Sequence, residues 1–148
     1  MNYPPFVKYA TPEEYRLHFE RVYCRGPTAT FDGVAVRFRK GNFEHDFFES
    51  SNRDDVKDLF SWRRAERIDW IKAALQDASC ELYQGWDRKK RRYDPARRVA
   101  IVMGNYVVVI AMVGPRDADF VTAYVVTEPG RPGRPSALDR IRQGPKWT

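Results

Sequence analysis

The sequence has few of the residues from which disulfide scaffolds, zinc sites and membrane spans are built. Only two of its 148 residues are cysteine, Cys24 and Cys80, and they form no CxxC or Cys/His cluster. The apolar run Val99–Val113 is too short to span a bilayer and is interrupted by Gly104-Asn105. The first residues lack a signal peptide's basic start and apolar middle. These absences predict a soluble, cytoplasmic protein that has no membrane partner.

The common catalytic and nucleotide-binding signatures are also missing. The chain contains no P-loop, no GxGxxG, no HExxH and no GxSxG. Its carboxylates are not grouped with histidines in the manner of metal ligands. If the protein is an enzyme, acid–base chemistry without a metal or cofactor is therefore the simpler expectation.

What the sequence does contain is enough apolar material for one core and an excess of positive charge. Hydrophobic residues make up 43% and aromatic residues 14% of the chain, which predicts a single domain over 1–148. The termini, 1–5 and 128–148, are expected to be loosely packed. The net charge of +6 favours nucleic acid, anionic membranes or acidic proteins without choosing among them.

Hydrophobic periodicity predicts helices first and a sheet afterwards. Thr11-Pro12-Glu13-Glu14 begins a helix that stops by Gly26-Pro27. Strand-like alternation follows, and Ser61–Asp77 then has the period of a second helix with a core stripe. Ser136–Gln143 is predicted to form one or two helical turns. The predicted strands are Gly33–Arg39, Asn42–Glu49, Cys80–Gln84, Arg98–Met103, Tyr106–Val113 and Asp119–Val126, with an exposed hairpin over Gly85–Pro95. This order implies an α+β fold in which helices pack on one face of an antiparallel sheet.

Two groups of side chains in the first half are candidates for acid–base chemistry and phosphate binding. His45 shares a predicted strand face with Phe43 and Phe47, so it is either a general acid or base or a half-buried sheet histidine. His18, on the first helix, is expected to have a packing or surface role. The second group is the arginine cluster of the second helix, namely Arg63, Arg64 and Arg67. The simpler interpretation of the cluster is an ordinary solvated helix face. Arg64, however, falls on the core-facing stripe and requires an acidic partner or an open pocket.

Two further groups lie in the second half. Strand alternation places Phe120, Thr122, Tyr124 and Val126 on one face, which brings the hydroxyls of Thr122 and Tyr124 together, although both residue types simply favour strands. A basic run with neighbouring aromatics suits a nucleic-acid backbone with stacked bases, or else a solvated loop or the contact with an acidic protein. The residues of that run are Arg88, Lys89, Lys90, Arg91, Arg92 and Tyr93.

Three motifs in this order, HDFFES, RRAERIDWIKAAL and VTAYVV, resemble the phage-associated branch of the barnase–EndoU–colicin–RelE-like nucleases. The resemblance covers Phe6 to Trp147. It implies N-terminal helices on a four- or five-stranded antiparallel sheet, and metal-independent cleavage of RNA, often by a toxin or phage-borne effector. The positions that match the motifs are His45, Arg64, Arg67, Thr122 and Tyr124, together with Lys146 in GPKW. The basic hairpin and Glu128–Pro135 have no counterpart in the family pattern.

The resulting hypothesis is a ribonuclease-like domain. RNA would lie across the sheet along Arg88–Arg92, His45 would transfer a proton, and the arginines would stabilise phosphate charge. Thr122 and Tyr124 would orient the phosphate, and an acidic immunity protein is a further possible partner. Two alternatives stay open: a module that binds nucleic acid or an acidic protein through the hairpin without chemistry, and a phage or mobile-element protein that keeps the fold without activity.

Overall fold

In a computed structural model of the protein, residues 3–49, 59–87, 90–127 and 136–147 are described, with the backbone alone at 86, 87, 96–100 and 137. The helices in these ranges are α1 (Pro12–Tyr23), α2 (Asn42–Phe47), α3 (Trp62–Ala65), α4 (Ile68–Gln76) and α5 (Ala137–Gln143). The strands are β1 (Thr28–Ala29), β2 (Ala35–Arg37), β3 (Phe48–Glu49), β4 (Leu59–Phe60), β5 (Glu81–Asp87), β6 (Arg92–Met103), β7 (Tyr106–Met112) and β8 (Asp117–Val125).

The described strands form a six-stranded sheet in the order β1-β2-β8-β7-β6-β5, and β3 pairs separately with β4. All neighbours are antiparallel except β2 and β8, which run parallel. The predicted α+β class is confirmed, but the expected four- or five-stranded, wholly antiparallel sheet is wrong. Strands β2 and β8 can run parallel because the chain between them is long. It contains α2 to α4 and the β5–β7 meander, and it returns to the sheet in the same direction.

The N-terminal helices pack on one face of the sheet, as predicted, around an aromatic core. Phe19 lies within 6 Å of the rings of Tyr23, Phe38, Phe43 and Phe47, measured between centroids. The opposite face carries a smaller cluster that the prediction did not include. It consists of Tyr83, Val102, Val107 and Val109, against which Leu138 and Ile141 of α5 pack.

The termini, at 1–5 and 128–148, were expected to be loosely packed, and their described parts make contacts with the rest of the domain. The Tyr3 ring stacks on Trp70 with 4.4 Å between centroids. Ser136 caps α5 in a reciprocal capping box with Asp139, and Pro145 accepts a hydrogen bond from the backbone of Gln84. Residues 128–135 lie outside the described ranges.

The predicted start of α1 and the predicted turn between β6 and β7 are both confirmed. The Thr11 side chain accepts a hydrogen bond from the backbone N–H of Glu14, and Pro12 occupies the first helical turn. Gly104 adopts φ +64°, the left-handed conformation that favours glycine in a two-residue hairpin.

The segment that contains His45 is a helix, not the predicted strand over Asn42–Glu49. Its aromatic spacing is ambiguous, since Phe43 and Phe47 are two alternations apart in a strand but also one turn apart in a helix. In α2 both rings are buried together with Asp46, whereas Glu44 and His45 are exposed. His45 therefore does not share a face with Phe43 and Phe47.

The predicted helix Ser61–Asp77 is divided into α3 and α4 at Glu66-Arg67. In a continuous α-helix the Glu66 carbonyl would accept from the N–H of Trp70. Here it accepts from the N–H of Val7 at 2.8 Å, and Trp70 donates to Arg67 instead. The core stripe itself is as predicted, because Ala65, Ile68, Ile71 and Leu75 are all fully buried.

Candidate functional site

The feature that organises the candidate site is an edge of β8 that no described strand covers. Strand β2 pairs with only three residues of β8, Asp117–Asp119, so the rest of β8 lacks a strand partner on that side within the described residues. Asp46 of α2 lies there instead and is completely buried. Its Oδ1 accepts a hydrogen bond from the Thr122 hydroxyl and another from the Ala123 N–H at 3.0 Å. The carboxylate thus satisfies backbone that a neighbouring strand would otherwise pair.

Arg64 of α3 meets the same carboxylate. Its Nη1 donates to the Asp46 carbonyl at 2.8 Å and lies 3.4 Å from Asp46 Oδ1, while its Nε is 4.0 Å from Glu49 Oε1. The Arg64 side chain is 26% exposed. The guanidinium therefore bridges a buried acid and the surface, which supplies the acidic partner that its place on the core-facing stripe required.

The electrostatics of Asp46 reflect this burial. Removal from water raises the pKa of the Asp46 carboxyl, because it penalises the charged form. The hydrogen bonds from Thr122 and Ala123 act in the opposite direction, and the nearby positive charges of Arg64 and His45 do so as well. The second carboxylate oxygen, Oδ2, is buried without a hydrogen-bond partner among the described residues. Asp46 is consequently held by one oxygen and is poorly solvated at the other.

The charges of this group also act on a buried phenol, that of Tyr106. Burial raises the pKa of Tyr106, and the negative charge of Asp46 raises it further. The positive charges of Arg64 and Arg67 oppose that shift. Tyr106 thus lies within electrostatic reach of the acid and of both arginines.

His45 is the exposed neighbour of Asp46 in α2. Its backbone N–H donates to the Gly41 carbonyl, but its imidazole makes no hydrogen bond or ion pair with the described residues. The ring is therefore accessible to solvent beside the buried acid.

The other two arginines of the cluster point elsewhere. Arg67 Nη1 donates to the Arg63 carbonyl at 2.7 Å and to Glu66 at 3.1 Å, and its guanidinium packs over Phe6 and Trp70. Arg63, which is exposed, donates to the Thr127 hydroxyl at 3.2 Å. Of the three, only Arg64 contacts Asp46 among the described side chains.

The predicted shared face of β8 is partly wrong because the strand contains a β-bulge. The register against β7 shifts between Phe120 and Thr122. Phe120 accordingly enters the core under the helices, whereas Tyr124 and Val126 pack on the face covered by α5. Burial raises the pKa of Tyr124, and Arg64 partly offsets that effect. Thr122 remains two residues from Tyr124, but its hydroxyl is directed to Asp46.

Lys146 and the basic hairpin lie far from this cluster. Lys146 bridges to Tyr83 at the outer edge of β5, so the strand order separates it from Thr122 by roughly 19 Å. Lys90, Arg91 and Arg92 are exposed where β5 turns into β6, on the order of 20 Å from Thr122 by strand length. Tyr93 is half-buried, and its ring lies so close to Gly144 that an added Cβ would come within 2.6 Å of it. Arg88 and Lys89 lie outside the described residues.

The structure thus brings Arg64, Thr122 and the segment of His45 together, and it separates Arg67, Lys146 and the hairpin from them. Asp46, which joins the group, was not identified from the sequence. Its signal was present, because a carboxylate between buried aromatics in NFEHDFF needs a partner once the segment is recognised as a helix.

No protein-family model, curated protein or solved structure matches this chain. In the part of the chain that is described, no three His, Cys, Asp or Glu side chains form a group that could hold a metal ion. The helices of the described ranges lack the length and apolar character needed to cross a membrane.

Proposed function

We propose that this protein is a metal-independent ribonuclease-like domain whose site lies where α2, α3 and the open edge of β8 meet. The observation that supports this proposal is convergence. Arg64 and Thr122, which are remote in sequence, both contact Asp46, and His45 is the exposed residue that precedes Asp46 in α2. Arg67, Lys146 and the hairpin lie outside this group, so the proposal depends on Arg64, Thr122 and His45.

In this proposal the exposed and the buried members of the site have different roles. The His45 imidazole transfers a proton to or from a ribose 2′-hydroxyl or the leaving 5′-oxygen. Arg64, whose side chain is 26% exposed, stabilises charge that develops on the phosphate. Asp46 and Thr122 are positioning residues, because the Thr122 hydroxyl is occupied by Asp46 and Asp46 is sealed from solvent. Tyr124, which is half-buried two residues further along β8, borders the path of the substrate in this proposal.

The direct test is incubation of the purified protein with total RNA in EDTA. We expect fragmentation by the wild type and a loss of about 10²- to 10⁴-fold in rate for His45→Ala, the usual contribution of a positioned acid or base. Glu44→Ala is the matched control, since Glu44 is the exposed neighbour of His45 on the same helix. This variant should cleave RNA like the wild type. RNA that stays intact at high enzyme excess would refute the proposal.

A toxin or phage-borne role, opposed by an acidic immunity protein, belongs to the same proposal. Its expected sign is poor yield of the wild type on expression and recovery of yield for His45→Ala. Equal, high yields of both proteins would speak against a toxin.

A second candidate function is binding of polyanions without cleavage. The observation that favours it is the separation of the exposed Lys90, Arg91 and Arg92 from the Asp46 cluster. Replacing these three with glutamine should then weaken RNA binding and flatten its salt dependence, while His45→Ala has no effect. The charge-matched control replaces the exposed cations Arg21, Arg25 and Lys40.

A further inference from the structure

Three aromatic rings form a platform next to the arginine cluster, and two of them are open to solvent. Tyr3 and Phe6 both stack on Trp70, with centroid distances of 4.4 and 5.5 Å and interplanar angles of 25°. Trp70 itself is buried, whereas Tyr3 is 38% and Phe6 44% exposed. Adjacent exposed aromatic residues are typical of surfaces that bind other molecules.

Cations surround these rings. The Arg67 guanidinium lies 4.7 Å from the Phe6 centroid and 5.1 Å from that of Trp70, and the Lys8 ammonium lies 5.3 Å from the Phe6 centroid. Arg63 lies one turn before Arg67, and the Arg63 carbonyl accepts a hydrogen bond from the Arg67 guanidinium. The carboxylate that pairs with Lys8 and Arg67 is that of Glu66 alone among the described residues, so the surface keeps a positive surplus.

The platform is held rigidly, which favours binding because little order must be gained. The Trp70 indole donates to the Pro4 carbonyl at 2.7 Å, and the Tyr3 hydroxyl donates to the Met103 carbonyl at 3.2 Å. The backbone hydrogen bond from the Val7 N–H to the Glu66 carbonyl holds the N-terminal segment that carries these rings against the end of α3.

The platform is also adjacent to the proposed site. Arg67 packs over Phe6 and donates to the carbonyl of Arg63, which directly precedes Arg64 in α3. A strand of RNA that met Arg64 could therefore place a neighbouring base over these rings.

Exposed aromatics between cations are the pattern by which proteins hold single-stranded nucleic acid, with bases stacked on rings and phosphates paired with cations. We propose that Tyr3 and Phe6 form a base-stacking subsite for single-stranded RNA, with Lys8 and Arg63 as its phosphate contacts and Arg67 packed over the Phe6 ring. This inference rests on the proposed function, for which it names where the substrate bases bind.

The test measures binding rather than cleavage. A short fluorescein-labelled single-stranded RNA is titrated in EDTA, and anisotropy is recorded, with every protein carrying His45→Ala so that no RNA is cut. Phe6→Leu keeps the apolar bulk but removes the ring face, and we expect affinity to fall about 5- to 150-fold, the cost of one lost stack. Phe6→Tyr should retain binding. Phe31→Leu is the matched control, since Phe31 is 38% exposed elsewhere on the surface.

The outcomes separate the subsite from the catalytic proposal. No measurable RNA binding, or Phe6→Leu binding like its parent, overturns the subsite even if the wild type cleaves RNA. Equal weakening of inorganic polyphosphate binding by Phe6→Leu also overturns it, because polyphosphate has no bases. A poly-glutamate peptide that depends on Phe6 to the same degree assigns the surface to an acidic protein instead. Phe6-dependent RNA binding without any cleavage by the wild type supports the subsite and rejects the ribonuclease.

Discussion

Asp46→Ala should be among the most destabilising single substitutions in this protein. Asp46 is completely buried and its Oδ1 accepts from Thr122, Ala123 and Arg64. Alanine leaves the Ala123 N–H without a partner at the β8 edge and leaves Arg64 without its buried counter-charge. Removing one member of a buried, hydrogen-bonded ion pair is costly because the remaining groups stay desolvated.

The structure sets the size of this effect. Each orphaned buried donor costs about 1–3 kcal/mol, and the loss of a buried charge partner costs about 3–5 kcal/mol. Arg64 is 26% exposed and can rehydrate in part, which reduces the second figure. We therefore expect the free energy of unfolding to fall by about 2–4 kcal/mol at neutral pH. Urea unfolding followed by circular dichroism measures it.

Asp46→Asn separates charge from hydrogen bonding and adds a pH signature. Asparagine keeps an acceptor for Thr122 and Ala123, so it should cost less than alanine. Because burial raises the pKa of Asp46 in the folded state, the folded protein binds more protons than the unfolded chain above the unfolded pKa of about 3.9. The free energy of unfolding of the wild type, measured relative to Asp46→Asn, should therefore rise as the pH falls from the raised pKa of folded Asp46 towards the pKa of the unfolded chain.

Two results would refute this reasoning. One is an Asp46→Ala variant no less stable than Asp119→Ala, a control whose surface pair with Arg39 at 3.5 Å is worth about 1 kcal/mol or less. The other is an advantage of wild type over Asp46→Asn that grows as the pH rises, because that sign requires a lowered pKa.

Two further substitutions test local geometry through the same urea assay. Gly104→Ala should cost at least about 1–2 kcal/mol, because φ is +64° and the added Cβ would lie 1.9 Å from the Tyr3 hydroxyl; a neutral result would contradict the turn. Tyr23→Phe should cost only about 1 kcal/mol. The Tyr23 hydroxyl donates to the Ile68 carbonyl and accepts from the Lys72 N–H. Without the hydroxyl, the Lys72 N–H can donate directly to the Ile68 carbonyl as in a regular helix, so a loss of several kcal/mol would show that this helical bond does not form.

The parts of the fold that the sequence predicted are those determined by local chemistry. The cap at Thr11, the turn at Gly104 and the buried stripe of Ile68 and Ile71 each depend on neighbouring residues, and each is found as predicted. The errors depend on distant partners. The helix break at Glu66 results from a bond to Val7, about sixty residues earlier in the chain, which no window of sequence contains.

The candidate site was predictable to the same limited extent. The stripe position of Arg64 indicated that it needed an acid, but not which one. The burial of Asp46 could not be predicted because NFEHDFF alternates like a strand. Only a helix puts Asp46 on the buried side with Phe43 and Phe47. The sequence predicted a phosphate contact for Thr122, whereas the bulge before this residue directs its hydroxyl to Asp46.

The Asp46 network can be both a structural cap and the foundation of a site. As a cap, it satisfies the β8 edge where β2 ends, and this role alone explains its burial. It does not explain why Arg64 reaches it from a position with a quarter of its side chain in solvent, or why His45 stands exposed beside it. A guanidinium fixed by a buried acid is preorganised, and preorganised charge is what an enzyme uses to stabilise a transition state. The two roles make different predictions for Asp46→Asn, since a pure cap affects only stability, whereas a site foundation lowers the cleavage rate even where the variant is fully folded.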